Sequence, residues 1–172
     1  MNTPAEQPAP DLAGLIRRQI VFGWWTLLVS LSLGIFLEAF HGFKAGFYLN
    51  VSNETRRLMW TLAHAHGTLL GLVNIAFGVT LKLQNPVPAR WQSAAANSLL
   101  AATVLVPSGF FLGGIVIYGG DPGLGILLLP LGAVFLLTGV FLTARGLQKK
   151  EAGSAPASGK PVIPPGKGGT KR

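Results

Sequence analysis

The chain has 172 residues, of which 49% are apolar and only 12% are charged, and its mean hydropathy is +0.48. Charged residues make up about a quarter of an ordinary soluble domain, so this composition indicates an integral membrane protein and excludes most water-soluble enzyme folds. Cysteine is absent, which excludes disulfides, thiolate metal sites, iron–sulfur clusters and covalently attached c-type haem. The net charge of +8 is carried by residues that flank apolar segments, which favours orientation against a membrane over nucleic-acid binding.

The first 19 residues are predicted to precede the membrane domain. Residues 1–10 are rich in Pro, Ala and Gln without apolar periodicity, and we expect them to be disordered. Residues 11–19 follow as a short interfacial segment whose helical turn is capped by Asp11. Span one then covers residues 20–40. It is longer than the apolar region of a signal peptide, so we predict a retained helix.

Two further spans are separated by polar or proline-containing segments. The loop 41–56 precedes span two, which covers residues 57–81. The two prolines of 85–88 cannot continue a helix, and span three is predicted for residues 92–118 after them.

The link 119–123 places Pro122 and Gly123 at the second and third positions of a type II turn. Span three and span four, residues 124–144, are therefore predicted to form a tight antiparallel hairpin. The remaining residues, 147–172, are predicted to be a disordered basic tail. The predicted fold class is thus all-α: a four-helix transmembrane bundle that occupies residues 20–146.

The distribution of Lys and Arg orients this bundle, because basic residues near span ends are retained on the cytoplasmic side. With both termini inside, the outer side carries Lys44, Arg56 and Arg57, and the inner side carries Arg17, Arg18, Lys82, Arg90, Arg145, Lys149, Lys150 and the basic residues of the tail. We therefore predict cytoplasmic N and C termini. The composition fits a bacterial inner membrane.

Each predicted span carries a stripe of small or polar residues, through which membrane helices make close backbone contact. In spans two and four the stripes are Gly67, Gly71, Asn74, Gly78 and Gly125, Gly132, Gly139, Gly146. In spans one and three they are Thr26, Ser30, Gly34, Glu38 and Ala95, Ala102, Gly109. Together these stripes predict a compact bundle.

Two prolines fall inside predicted spans. Pro107 lies in span three and Pro130 in span four, where each removes one backbone hydrogen bond and is expected to kink its helix. Such a kink is more often architectural than functional.

Three ionisable side chains in or at the ends of the predicted spans stand out, Glu38, His64 and His66, because charged groups inside a membrane are costly. Glu38 lies at the outer end of span one, His41 lies just beyond it, and His64 lies inside span two. At about 1.5 Å per residue, His64 is roughly 10 Å below the outer end of its span. We expect Glu38, His41 and His64 to converge in the outer third of the bundle.

Several interpretations of this cluster remain open. In the structural one, Glu38 is hydrated or pairs with Arg56 or Arg57, and His64 makes a hydrogen bond between helices. Alternatively, Glu38, His41 and His64 bind a Zn or Cu ion, with water as the fourth ligand. A histidine beside a carboxylate also suits a proton-linked process.

His64 and His66 form a His-x-His pair on span two. At 3.6 residues per turn their side chains point about 160° apart, so one helix cannot chelate a single ion with both. The segment 62–71 reads LAHAHGTLLG and resembles the paired-histidine helix of the haem-copper oxidase superfamily and of uncharacterised small four-span bacterial membrane proteins. In haem-copper oxidases such a helix supplies axial ligands to two haems, which the resemblance maps onto His64 and His66.

The chain departs from that superfamily where an oxidase needs more ligands. The copper ligands have no counterparts and His41 is the one remaining histidine, so a complete oxidase is excluded. The resemblance leaves a single b-type haem on His64 or His66, with a second axial ligand from His41, Met59, a second copy or a partner subunit.

The sequence contains no Ser-His-Asp set, paired catalytic carboxylates or P-loop, so we do not expect an enzyme. The leading hypothesis is a structural or accessory subunit that resides in the lipid bilayer, as a homo-oligomer or within a larger membrane complex, without a nucleic-acid partner. The alternative is a haem-binding or metal-binding membrane redox component. The third hypothesis is a small proton-coupled carrier that works as an oligomer.

Overall fold

The computed structural model describes residues 11–50, 54–84 and 89–153, with side chains as far as residue 148. Its long helices are α1 (Leu12–Gly42), α2 (Thr55–Gln84), α3 (Arg90–Gly113) and α4 (Leu128–Gly153). Between α3 and α4 lie the short strands β1 (Ile117–Tyr118) and β2 (Asp121–Pro122) and a 3₁₀ turn (Leu124–Leu127). Four segments are long and apolar enough to cross a membrane: α1, α2, α3 and the continuous stretch Leu124–Gln148. The prediction of four helices long and apolar enough to span a membrane is confirmed, whereas the predicted disorder of 1–10 and 154–172 lies outside the described residues.

The N-terminal part of α1 differs from the prediction, because residues 12–19 are not a separate interfacial segment but the start of one helix that ends at Gly42. Asp11 caps it as predicted, since its Oδ1 accepts a hydrogen bond of 3.1 Å from the Gly14 N–H. Leu15 is buried in a cluster with Phe77 and Leu81 of α2. Burial of Leu15 against α2 and α3 explains why the helix continues without a break.

The connection between α3 and α4 also differs from the prediction. The third span ends at Gly113 instead of residue 118, and β1 then pairs antiparallel with β2. Gly119 and Gly120, with φ of 58° and 99°, form the two-residue turn, as in type I′ hairpins. Gly123 has φ of −67°, so the expected type II turn at Pro122 and Gly123 is wrong. The Gly-Gly pair supplies two positive φ angles, which suits the twist of paired strands better.

Helix α4 corrects two further expectations. Pro130 is the third residue of α4, in the first turn, where a backbone N–H has no partner inside the helix and proline costs little. Pro130 thus lies inside the continuous stretch Leu124–Gln148, as predicted, but at the start of α4 rather than in the interior of that helix. The helix continues to Gly153, so residues 147–153 are not disordered; Gln, Lys, Glu and Ala dominate this stretch and favour helix. Pro107 does lie inside a helix, as predicted.

The helices pack in chain order, with α1 against α2, α2 against α3, and α3 against α4. Helix α4 contacts α3 far more than α1 or α2. Helices α1 and α3 meet where the Gln19 Nε2 group donates to the Ala96 carbonyl over 2.9 Å and Arg18 donates to Asn97 over 2.7 Å. The bundle is consequently open between α1 and α4 rather than closed on all sides.

The glycine stripe of α4 packs on α3, as the spacing predicts. A Cβ atom added at Gly132 would lie 2.6 Å from Val106, one at Gly139 would lie 2.8 Å from Leu99, and one at Gly146 would lie 2.6 Å from Trp91. Gly125 continues the contact beside Leu112. The predicted α3 residues Ala95, Ala102 and Gly109 are all buried.

The stripe of α2 faces two helices. Gly67, Gly71 and Gly78 approach α1, whereas the fully buried Asn74 turns to α3 and donates to Thr103 Oγ1 over 2.7 Å. On α1, Ser30 and Gly34 lie in the interface as predicted, but Thr26 and Glu38 do not. The buried stripe of α1 consists of Leu15, Gln19, Gly23, Leu27, Ser30, Gly34 and Leu37.

Candidate functional site

The two histidines of α2 face different helices. The His64 Nδ1 atom is 2.7 Å from the Ser30 carbonyl oxygen of α1, and its ring lies against Gly34. The ring of His66 packs on the Phe110 ring of α3 with 4.8 Å between centroids. The two rings therefore serve separate surfaces, as a His-x-His spacing on a helix predicts.

The hydrogen bonds of both rings determine which nitrogen is free. His66 Nδ1 lies 2.8 Å from the Leu62 carbonyl oxygen of its own helix, and His64 Nδ1 contacts the Ser30 carbonyl. Because a carbonyl oxygen only accepts, each Nδ1 must be the donor. In the neutral ring, Nε2 then remains as an acceptor for a ligand, a metal or a proton.

A groove of about 840 Å³ runs between α1 and α2 at the end where the α1–α2 loop lies. We call it the α1–α2 groove, and its lining consists of Leu31, Gly34, Ile35, Leu37, Glu38, His41, Gly42, Tyr48, Thr61 and His64. The structure thus brings the three side chains singled out by the sequence to one cavity. A second cavity that shares His41, Tyr48 and Thr61 extends it toward Glu54 and Arg57.

The groove does not arrange these side chains as a metal centre. Within residues 11–50, 54–84 and 89–153, no three His, Cys, Asp or Glu side chains are grouped so that they could hold a metal ion. Zinc sites use three or four protein ligands at about 2.0–2.3 Å. Glu38 and His41 are exposed at the wall of the groove, so Glu38, His41 and His64 share a cavity without forming a ligand set in this structure.

The positions of the three histidines also limit which of them could bind one haem within a single chain. Of the three histidines, His41 and His64 line the same groove, whereas His66 is covered by Phe110. Met59 is buried, and its Cβ lies beside Gly114 at the end of α3. Among the described residues, His41 and His64 are thus the two histidines that share a groove, whereas His66 faces α3.

Arg56 has a role that the sequence analysis missed. Its guanidinium donates to the carbonyls of Gly114, Phe47 and Ile115 over 3.0, 2.9 and 3.2 Å. These contacts tie the α1–α2 loop to the end of α3, where helix termination frees backbone carbonyls. The Gly113-Gly114 pair was the sequence signal for that termination.

The expected ion pair between Glu38 and Arg56 or Arg57 is not formed. Arg57 pairs instead with Glu54 over 2.8 Å, and Arg56 is occupied by carbonyls. In the parts of the chain that the structure describes, no basic side chain forms a salt bridge with Glu38. The carboxylate consequently lines the groove with its charge uncompensated by a neighbouring residue.

Aromatic rings close the same end of the bundle beside the groove. The Trp60 ring stacks on Tyr48 at 6.3 Å and on Phe111 at 5.6 Å between centroids, and Phe47 meets it edge-on. Trp60 Nε1 also donates to the Phe111 carbonyl over 3.1 Å. Tyr48, which is 4% exposed, lines the groove, so the cluster packs behind one wall of the groove.

No protein-family model, curated protein or solved structure matches this chain. Its function is therefore inferred from its own residues.

Proposed function

We propose that this chain is a non-enzymatic structural or accessory subunit of a bacterial inner membrane, with both termini in the cytoplasm. The observation that carries the proposal is the placement of His64, whose ring is held between the Ser30 carbonyl and Gly34 of α1. A histidine used in this way joins two helices.

The exposed faces of the helices support a role within a bilayer or a larger membrane assembly. Leu131, Val134, Leu137, Val140 and Phe141 are exposed along α4, which packs chiefly on α3. Such a face suits lipid, a second copy or another membrane subunit. Nucleic acid is not a partner in this proposal, because the basic residues lie at helix ends as expected for membrane orientation.

The test is the composition of the purified protein. We expect an absorption spectrum without a stoichiometric Soret band and elemental analysis without a stoichiometric metal. The His64→Ala variant should unfold at lower temperature, because it leaves a void beside Gly34 and removes the hydrogen bond to Ser30. A Soret band or a metal at one equivalent per chain, lost on substitution of His64, would overturn the structural role.

A second candidate, a haem-binding or metal-binding redox component, is favoured by the free Nε2 acceptors of His64 and His66. Fixing Nδ1 as the donor is the usual way in which proteins orient an axial or metal-ligating histidine. Haemin titration of the full chain and of the His64→Ala, His66→Ala double variant tests it. Equal spectra for the two proteins would end this candidate.

The third candidate is a proton-coupled carrier that works as an oligomer, which the shared groove of Glu38 and His64 supports. Proton-linked flux in liposomes should then fall when Glu38 or His64 is replaced. Flux that is indifferent to both substitutions would exclude it.

A further inference from the structure

We propose that the α1–α2 groove binds a lipophilic organic monocation, meaning a molecule with a protonated amine and an apolar body. This inference goes beyond the accessory role and does not depend on it. Three features of the groove carry it: its charge, its hydrogen-bonding polarity and its opening.

The charge of the groove is negative and uncompensated. Glu38 lines it, and in the described ranges this carboxylate forms no salt bridge. The two arginines at the start of α2 already have other partners. Arg57 forms an ion pair with Glu54, and Arg56 donates hydrogen bonds to three carbonyls. A carboxylate near apolar surroundings attracts a cation more strongly than it would in bulk water.

Two side chains that line the groove, Glu38 at its wall and His64, can accept a hydrogen bond from a ligand. A carboxylate accepts only, and the His64 ring in its neutral form presents Nε2 as an acceptor because Nδ1 donates to Ser30. Gly34, which His64 covers, and Glu38 are four residues apart on α1, about 6 Å along the helix axis. An ammonium group with two or three N–H donors complements both acceptors, whereas an anion complements neither.

The walls and the opening of the groove suit an apolar body. Leu31, Ile35 and Leu37 line one side. Leu31 is 49% exposed and Ile35 is 70% exposed on the outside of α1, so the groove opens sideways as well as at the end of the bundle. A volume of about 840 Å³ lies in the range of small-molecule sites, roughly 300–1,000 Å³. A ligand can therefore enter from the membrane with its amine directed to Glu38.

The matched probes are 1-naphthylmethylammonium and its neutral counterpart 1-naphthylmethanol, measured by equilibrium dialysis against the full chain in zwitterionic micelles. We expect saturable binding of the amine and at least about tenfold weaker binding of the alcohol. The Glu38→Gln variant should lose at least about tenfold in affinity for the amine, and Glu38→Asp, which keeps the charge, should retain most of it.

The control variant is Asp121→Asn, which removes the same charge from an exposed carboxylate of β2 that is not among the residues lining the groove or its extension. It should bind the amine within about twofold of the unmodified chain, because an exposed charge outside the groove is screened by solvent. The proposal is overturned if Glu38→Gln binds as well as the unmodified chain. Equal losses in both variants, or equal binding of the alcohol, would also overturn it.

A final experiment distinguishes two possible ligands of the groove, a freely diffusing amine and the headgroup of a lipid. Ethanolamine phospholipid and choline phospholipid are added in turn to the micelles that contain bound amine. Neither should displace the probe beyond the dilution effect of added lipid. Selective displacement by the ethanolamine lipid would assign the groove to a headgroup and overturn the proposed ligand.

Discussion

The ring of His64 lies against the backbone of Gly34, so that a Cβ atom at position 34 would come within 2.5 Å of Cε1 and 2.8 Å of Nδ1. This contact brings α1 and α2 together beside the groove. It also holds His64 Nδ1 at the Ser30 carbonyl. Any side chain at position 34 must therefore displace the histidine.

Gly34→Ala should consequently destabilise the protein by about 1–3 kcal/mol, because overpacking forces the ring out of its place and breaks its hydrogen bond. Thermal unfolding in detergent measures the change. Gly42→Ala is the matched control, since a Cβ there meets nothing within 4 Å. An unchanged midpoint for Gly34→Ala would show that His64 does not join the two helices.

The buried hydrogen bond between Asn74 and Thr103 provides a second prediction. Thr103→Val removes the acceptor of a fully buried amide group, which should cost about 1–3 kcal/mol. Thr138→Val makes the same chemical change at an exposed hydroxyl that bonds only to its own helix, and it should change stability by less than about 0.5 kcal/mol. Equal effects in chemical denaturation would contradict the assigned role of Asn74.

The packing of α4 on α3 depends on Gly139. Gly139→Leu should separate the two helices, because even a Cβ at this position lies 2.8 Å from Leu99 and overpacking costs about 1–3 kcal/mol. The chain contains no cysteine, so a pair of cysteines introduced into α3 and α4 reports the separation through its cross-linking rate. Val140→Leu on the exposed face should leave that rate unchanged, and cross-linking that persists in Gly139→Leu would refute the close contact.

Neighbouring arginines should differ in their contribution to stability. Arg56→Ala leaves three carbonyls without their donor and should cost about 1–3 kcal/mol, with faster hydrogen exchange in residues 114–120. Arg57→Ala removes a partly exposed ion pair and should cost no more than about 0.5 kcal/mol. If the order of the two effects is reversed, Arg56 does not hold the end of α3.

The membrane orientation can be tested with single cysteines in the otherwise cysteine-free chain. Lys44→Cys should react with an impermeant maleimide added to intact cells, whereas Gln148→Cys should react only after the membrane is opened. The expectation rests on the excess of Lys and Arg on the predicted inner side. Labelling of both positions from the same side would contradict the four-span topology.

The sequence predicted the positions of the helices better than the way they are connected. Asp11 and the stripe that begins at Gly125 were identified correctly, because helix capping and helical periodicity are local properties. The turn at Gly119 and Gly120 was missed, because two competing glycine-containing turns have similar local signatures. Only the pairing of Ile117 with Pro122 decides between them.

The candidate site was partly predictable for the same reason. The spacing of His64 and His66 determines that their rings point to different sides of α2, since this depends only on 3.6 residues per turn. The partners of those rings depend on the rotation of α1 and α3. Thr26 was expected in the α1 interface, but Gly23 and Leu27 lie there instead.

Apolar run lengths and small-residue spacing were enough to predict four long apolar helices, and the absence of cysteine excluded disulfides and thiolate metal sites. The uncompensated charge of Glu38 could not be derived in that way, because Arg56 and Arg57 were equally plausible partners along the chain. Helix α3 ends at Gly113, and Arg56 donates a hydrogen bond to the Gly114 carbonyl that this end leaves free. At the start of α2, Arg57 forms its ion pair with Glu54. Hydrogen-bond partners depend on distance in three dimensions and not on separation along the chain. The groove and the unpaired state of Glu38 could therefore be determined only from the tertiary structure.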